Sequence, residues 1–175
     1  KMLAPGKVTP QDNLVDLGSG DGRMVITAAK RGTTALGIEY NPDMVELSKR
    51  NAQKEGVADK AQFMRADIFQ TDFSKATVLT LYLLPSLNLK LRPTILDMKA
   101  GTRVVSHAFT MDDWTPDQVE SSEGRTAYMW IVPAKVSGTW RVEVPGGPSY
   151  ETSFIQQFQN VGGSAKAANK AVQFS

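Results

Sequence analysis

The sequence contains no cysteine and a single histidine, His107. Without cysteine there is no disulfide framework, no thiolate metal site and no cysteine nucleophile, and the redox compartment is left open. No cluster of His and carboxylates shows metal-ligand spacing, so no metal is expected. Long apolar runs are also missing: none approaches the roughly 18 to 20 residues that a membrane span needs. A basic stripe is absent too. Lys and Arg number 20 against 18 acids, scattered among one another, and the formal charge of +2 argues for no nucleic-acid backbone partner. No charged start followed by an apolar stretch marks a signal peptide. The cytoplasm is therefore the default expectation. Export stays open, because Lys1-Met2-Leu3 looks like the tail of a helix with a segment before it.

What is present is the material for one ordinary domain, 175 residues able to bury a real core. Short apolar runs alternate with helix-like stretches over the first two thirds, the pattern of βαβ units building a parallel sheet. The spacing predicts strands over 13–17, 33–39, 61–66, 76–83 and 102–106. The fourth, almost wholly apolar, is expected to be buried on both faces. Helices are predicted from Asp21 to Arg31, stopped by Gly32, and from Asn41-Pro42 to about Glu55, with Met44, Leu47, Ser48 and Asn51 on one face. Pro85 reads as an interruption, with a helical turn from Ser86 and a further helix opening at Pro93. From Arg125 onward the period is close to two, with turn signals at Ser137-Gly138 and Pro145-Gly146-Gly147-Pro148. The expected architecture is α/β, a doubly wound, mostly parallel Rossmann-like sheet. A core is expected over 1–124, and over 125–175 antiparallel strands that complete the sheet edge or form a small β extension. Ala171 to Phe174 ends without a turn or cap, so the end reads as truncated or partly ordered.

The chemistry concentrates in Asp16-Leu17-Gly18-Ser19-Gly20-Asp21-Gly22-Arg23, between the first strand and the first helix, where an open α/β sheet takes its ligand. The spacing is not the dinucleotide Gly-x-Gly-x-x-Gly, and Asp16 and Asp21 flank it. Two carboxylates repel a pyrophosphate and attract a sulfonium and an α-amino group, so charge sign selects the ligand. Glu39, at the end of the second strand, is placed to accept hydrogen bonds from ribose hydroxyls. Asp67 can accept from an adenine amino group, with the backbone of Ile68 reading the neighbouring ring nitrogen.

From about Val8 to about Trp114 these residues resemble the class I, Rossmann-like methyltransferases that depend on S-adenosylmethionine. The resemblance implies that the turn at Asp16, Gly18, Ser19, Gly20 and Asp21 holds the methionine part of that cofactor. It also implies that Glu39 with Tyr40 holds the ribose and that Asp67 with Ile68 holds adenine. It places the methyl acceptor beyond the fourth strand, at Leu81-Tyr82-Leu83-Leu84-Pro85-Ser86. Nucleic-acid and glutamine amino-methylating members carry Asn or Asp, Pro-Pro and an aromatic residue there, a motif that this chain lacks. The turn with Arg23, the Glu39-Tyr40-Asn41-Pro42 run and the Leu-Pro-Ser segment are closer to small protein lysine methyltransferases and their prokaryotic relatives. The acceptor itself, a protein lysine or a small molecule, is left open.

Methyl transfer to an amine requires the amine unprotonated, and Tyr82, Ser86 and His107 are the candidates to accept or orient its proton. His107 reads more readily as a packed strand-end residue than as a base, and Tyr82 is expected to pack. Asp112-Asp113-Trp114 forms either a lid or a core closure. The competing readings are a module that binds the cofactor without turnover and a nicotinamide-dependent oxidoreductase, which the acidic turn disfavours.

Overall fold

The structure is a computed structural model and describes residues 2–168 and 170–175. The chain forms two compact units, Lys1–Val132 and Pro133–Ser175. The first holds β1 (Asn13–Leu17), α1 (Arg23–Lys30), β2 (Thr34–Glu39), α2 (Pro42–Lys54), β3 (Ala61–Arg65), β4 (Val78–Leu81) and α3 (Pro85–Leu96). It continues with β5 (Arg103–His107), β6 (Gln118–Ser122) and β7 (Arg125–Ile131). These strands make a seven-stranded sheet in the order β3-β2-β1-β4-β5-β7-β6. The first five strands are parallel and β7 runs antiparallel to both β5 and β6. The chain winds outward from β1 in one direction and restarts from β4 in the other, so the carboxyl ends of β1 and β4 form the switch point where an open α/β sheet has its crevice.

The local causes are visible in the residues. β4 is buried at all four positions, as its apolar run predicts. The side chain of Asn41 accepts from the amides of Asp43 (2.9 Å) and Met44 (3.4 Å), and Pro42 stands at the first helical position, so α2 starts where the sequence says. Val25, Ala28 and Ala29 of α1 pack with Leu14, Ala35, Ala52 and Val78 in the core.

Several boundaries differ from the sequence reading. α1 begins at Arg23 rather than Asp21, because Gly22 at φ 82° belongs to the turn and serves as N-cap. The buried stripe of α2 is Val45, Ser48 and Ala52, one position round from the expected face, and Met44 is exposed. β4 is shorter than 76–83: the Ala76 amide bonds back to Phe73 in a turn, and beyond Leu81 the Tyr82 side chain is exposed. The region 85–96 is one helix: Pro85 opens it, and Pro93 lies at an exposed position in its last turns, where losing one helical bond costs least. β5 is shifted by one residue: the amide and hydroxyl of Thr102 bond back to Lys99, and its carbonyl accepts from the Val132 amide beyond β7. Met2–Lys7 forms turns rather than a helix tail, with Leu3 buried in the core.

The division between units falls after Val132, not at 124/125, because β7 pairs with both β5 and β6 and so belongs to the large sheet. The sequence pattern did not reveal β6. The second unit is an antiparallel sheet of β8 (Gly138–Glu143), β9 (Ser149–Gln157), β10 (Asn160–Ala167) and β11 (Lys170–Phe174) in the order β11-β10-β9-β8. The sequence left open whether the C-terminal strands complete the sheet or form an extension, and they do both. The final run, Ala171 to Phe174, is paired with β10.

Candidate functional site

Register brings the key positions side by side. Asp16 on β1 stands opposite Gly37 on β2 and Thr80 on β4, all on one face near the carboxyl ends of the strands. The turn that leaves β1 is tied down on two sides. The carbonyl of Ile38 accepts from the amides of Gly18 (2.9 Å) and Ser19 (3.1 Å), and Gly20 donates its N–H to Glu39 Oε2 at 2.9 Å. From α2, the Ser48 hydroxyl donates to the carbonyl of Gly20 (2.9 Å), and the Asn51 amide donates to that of Asp21 (3.1 Å). This accounts for polar residues on the buried side of α2: they satisfy turn carbonyls that would otherwise be buried without donors.

The glycines divide by what surrounds them. Gly18, Gly20 and Gly22 have φ of 77°, 53° and 82°, a region costly for other residues. A side chain at Gly22 would strike the Phe63 ring and Ser48 at 2.7 to 2.9 Å, so that glycine lets α1 close against β3 and α2. At Gly20 a Cβ would meet nothing within 4 Å, which marks open space in front of the turn. Gly37, which the sequence reading did not single out, leaves room for Ser19: a Cβ there would lie 2.6 Å from the Ser19 hydroxyl. That hydroxyl is buried and has no partner among the described residues.

The charges are arranged as follows. Asp16 is 5% exposed, and burial pushes its carboxyl up to about 6; a hydrogen bond from the Thr80 hydroxyl, 2.5 Å to Oδ1, opposes this, while the Glu39 charge reinforces it. Glu39 accepts from Gly20 with one oxygen and from the Asn41 amide with the other, at 3.0 Å. Asp21 is turned to Arg23 in a 2.7 Å ion pair, and that hydrogen bond holds its carboxyl below the usual range. Tyr40, beside Glu39, is 73% exposed. Asp67 follows β3 in an Asx-type turn, accepting from the Phe69 amide at 2.8 Å. Ile68 is half-buried beside it.

On the far side of the crevice Tyr82 is 65% exposed, not packed as expected. Its ring meets His107 edge to face, with centroids 4.6 Å apart. His107 is half-buried at the end of β5, and its Nδ1 is buried with no partner among the described residues. Ser86 is exposed in the first turn of α3. Trp114 is no lid: it is fully buried against Trp130, whose Nε1 donates to the Trp114 carbonyl at 2.7 Å. Asp113 pairs with Arg92 at 2.5 Å. The structure thus gathers Asp16, the glycine turn and Glu39 at one place and pairs Tyr82 with His107 at the neighbouring strand ends. Among the described residues, no group of three or more His, Cys, Asp or Glu is placed to hold a metal ion, and no helix is long and apolar enough to cross a membrane.

The chain is similar to proteins of known family. The profile of the ANTKMT methyltransferase domain matches residues 16–118. A protein-lysine N-methyltransferase of Saccharolobus islandicus is 37% identical over 139 residues, 75% of this chain and 86% of that protein. The adenine nucleotide translocase lysine N-methyltransferase of Mus musculus is 33% identical over 136 residues, 77% of this chain and 56% of the mouse protein. Among solved structures, an RNA methyltransferase from Salinibacter ruber in complex with S-adenosyl-L-homocysteine has 48% identity and a TM-score of 0.75, covering 77% of this chain and 90% of that one. The chain belongs to the ANTKMT methyltransferase domain family, within the Rossmann-like methyltransferases that use S-adenosylmethionine.

Proposed function

We propose that this methyltransferase acts on the side-chain amine of a protein lysine, with its cofactor on the turn from Asp16 to Asp21. The observation that carries the acceptor is the likeness to the Saccharolobus islandicus protein-lysine N-methyltransferase, which this chain covers over 86% of its length. The cofactor assignment rests on fit. In front of Gly20 there is open space, the buried Ser19 hydroxyl lacks a partner among the described residues, and Asp16 and Glu39 supply negative charge where a cationic amino acid moiety would lie. Asp16, Gly18, Ser19 and Gly20 would face the methionine part, Glu39 and Tyr40 the ribose, and Asp67 and Ile68 the adenine; Asp21 contributes by bracing the turn through Arg23.

The cofactor supplies a methyl group already activated on a sulfonium. What the chain must add is alignment, exclusion of water and an unprotonated amine. The exposed Tyr82 ring offers a flat wall for the lysine stem, and its hydroxyl can orient the amine. His107 holds that ring by its edge contact. Ser86, at the opening of α3, borders the same approach. A lysine amine is protonated at neutral pH, with a pKa of about 10.4 in water, so it must give up a proton before it can attack.

A second reading is favoured by the Salinibacter likeness, whose acceptor is RNA. Incubation with methyl-labelled cofactor and a lysate separates the two. Label that survives nuclease, is released by protease and appears as methyllysine on hydrolysis supports the lysine reading; label lost to ribonuclease overturns it.

The two sides of the crevice are expected to come apart by mutation. Glu39→Gln keeps the shape of its side chain but loses the charge-assisted bonds, and S-adenosylhomocysteine affinity is expected to fall about tenfold or more in calorimetric titration. Tyr82→Ala is expected to leave that affinity within about twofold while slowing transfer on the order of a hundredfold, since misplacement of about 1 Å has that effect. If affinity fell and turnover per bound cofactor held in Tyr82→Ala, the acceptor side would lie elsewhere.

A further inference from the structure

β4 reads Val78-Leu79-Thr80-Leu81, and Thr80 is its only polar side chain. Its hydroxyl is fully buried, a placement that is unfavourable unless the group finds a partner. The partner is Asp16 Oδ1 at 2.5 Å, across the strand pair at the point where the winding of the sheet reverses. A hydroxyl donating to this oxygen favours the ionised carboxylate over the neutral acid. The surroundings otherwise disfavour the anion: Asp16 is buried, and among the described residues the charge felt there is that of Glu39, on β2. Arg23, the first residue of α1, is committed to Asp21. His107 on β5 and Tyr82 beyond β4 engage each other.

We propose that Thr80 is a positioning residue for the cofactor: its hydroxyl keeps Asp16 ionised where the cofactor's α-amino group arrives. The inference rests on the proposed placement of the methionine part beside Asp16. Thr80 itself touches no cofactor atom in this scheme and acts through the carboxylate. Without the donated bond, burial and Glu39 would both favour the protonated acid, and the amino group would meet a neutral carboxyl at the pH where the enzyme works.

The test is the pH dependence of binding, measured by calorimetry with two ligands, S-adenosylhomocysteine and 5′-methylthioadenosine. The second has the adenine, ribose and thioether but no amino acid portion. In the unaltered protein, S-adenosylhomocysteine affinity is expected to be level above pH 7 and to weaken as Asp16 takes up a proton near pH 6. In Thr80→Val the midpoint is expected to rise by about one to two pH units, giving a loss of about threefold to twenty-fivefold at pH 6.5 that largely recovers at pH 8.5. Thr80→Ser restores the unaltered profile, because the hydroxyl returns. Methylthioadenosine affinity is expected to show no such step and no change in Thr80→Val. A loss equal for both ligands, or one independent of pH, would make Thr80 a packing residue and overturn the proposal. If Thr80→Val fails to fold, Thr80→Ser and the profile of the unaltered protein still decide, since level affinity down to pH 5 contradicts an Asp16 anion as the determinant. An Asp16→Asn variant that binds S-adenosylhomocysteine normally would instead overturn the placement of the cofactor itself.

Discussion

Asp16→Asn is expected to make the protein more stable and a worse binder at the same time. The carboxyl is pushed up to about 6 from its ordinary 3.8, chiefly by burial, with Thr80 opposing and Glu39 adding. The sign follows from proton counting. Between roughly pH 4 and 6 the folded chain holds a proton at Asp16 that the unfolded chain has lost, so stability falls as pH rises through that window. Above it the full cost is present, up to about 3 kcal/mol for a shift of this size. An uncharged amide of the same shape removes that cost, so thermal unfolding at pH 7.5 is expected several degrees higher than in the unaltered protein. The gain is expected to vanish below pH 4, where both side chains are neutral. S-adenosylhomocysteine affinity at pH 7.5 is expected to drop about tenfold to a hundredfold, the range of a lost charge-assisted interaction. A variant that gained no stability at pH 7.5 would mean that the buried carboxyl is better solvated than its position between β1, β2 and β4 implies.

The second large effect separates two glycines two residues apart. Gly22→Ala sets a methyl group against the Phe63 ring and Ser48 at 2.7 to 2.9 Å, at φ 82°. Left-handed strain of about 1–2 kcal/mol adds to overpacking of about 1–3 kcal/mol, a large fraction of a typical domain's stability. The urea midpoint is expected to fall steeply, and binding falls with the fold. Gly20→Ala carries only the strain, because its methyl group would enter open space. That protein is expected to fold, with about 1–2 kcal/mol lost, yet to bind S-adenosylhomocysteine poorly because the methyl stands where the ligand would lie. Equal destabilisation of the two variants would show that backbone strain alone decides, and normal binding by Gly20→Ala would move the ligand away from the turn.

The parts of this fold that could be read from the sequence are those written locally. β1 and β2 are apolar runs bounded by turn residues, and α2 opens with an Asn-Pro cap; each lies within a residue of its expected bounds. The glycine turn and Glu39 were legible because spacing and charge sign act over a few residues. Thr80 and Asp16 are 64 positions apart, and Ser48 and Gly20 are 28 apart, so their pairing exists only once the strand order does. Gly37 escaped notice because a glycine inside a strand has no local signature for the side chain that it accommodates. Pro93 misled because the rule against interior proline is weak near an exposed helix end. β6 is polar at most positions, and its one local signal is the hairpin turn at Glu123-Gly124, with φ of 51° and 71°.

Glu39 already holds the amides of Gly20 and Asn41, one with each oxygen, while α2 grips the carbonyls behind the turn. The loop is therefore shaped before any ligand arrives, and little ordering entropy is left to lose on binding. At the proposed cofactor turn, association is then governed by encounter rather than by rearrangement, so affinity differences among its ligands are expected to lie in how fast they leave.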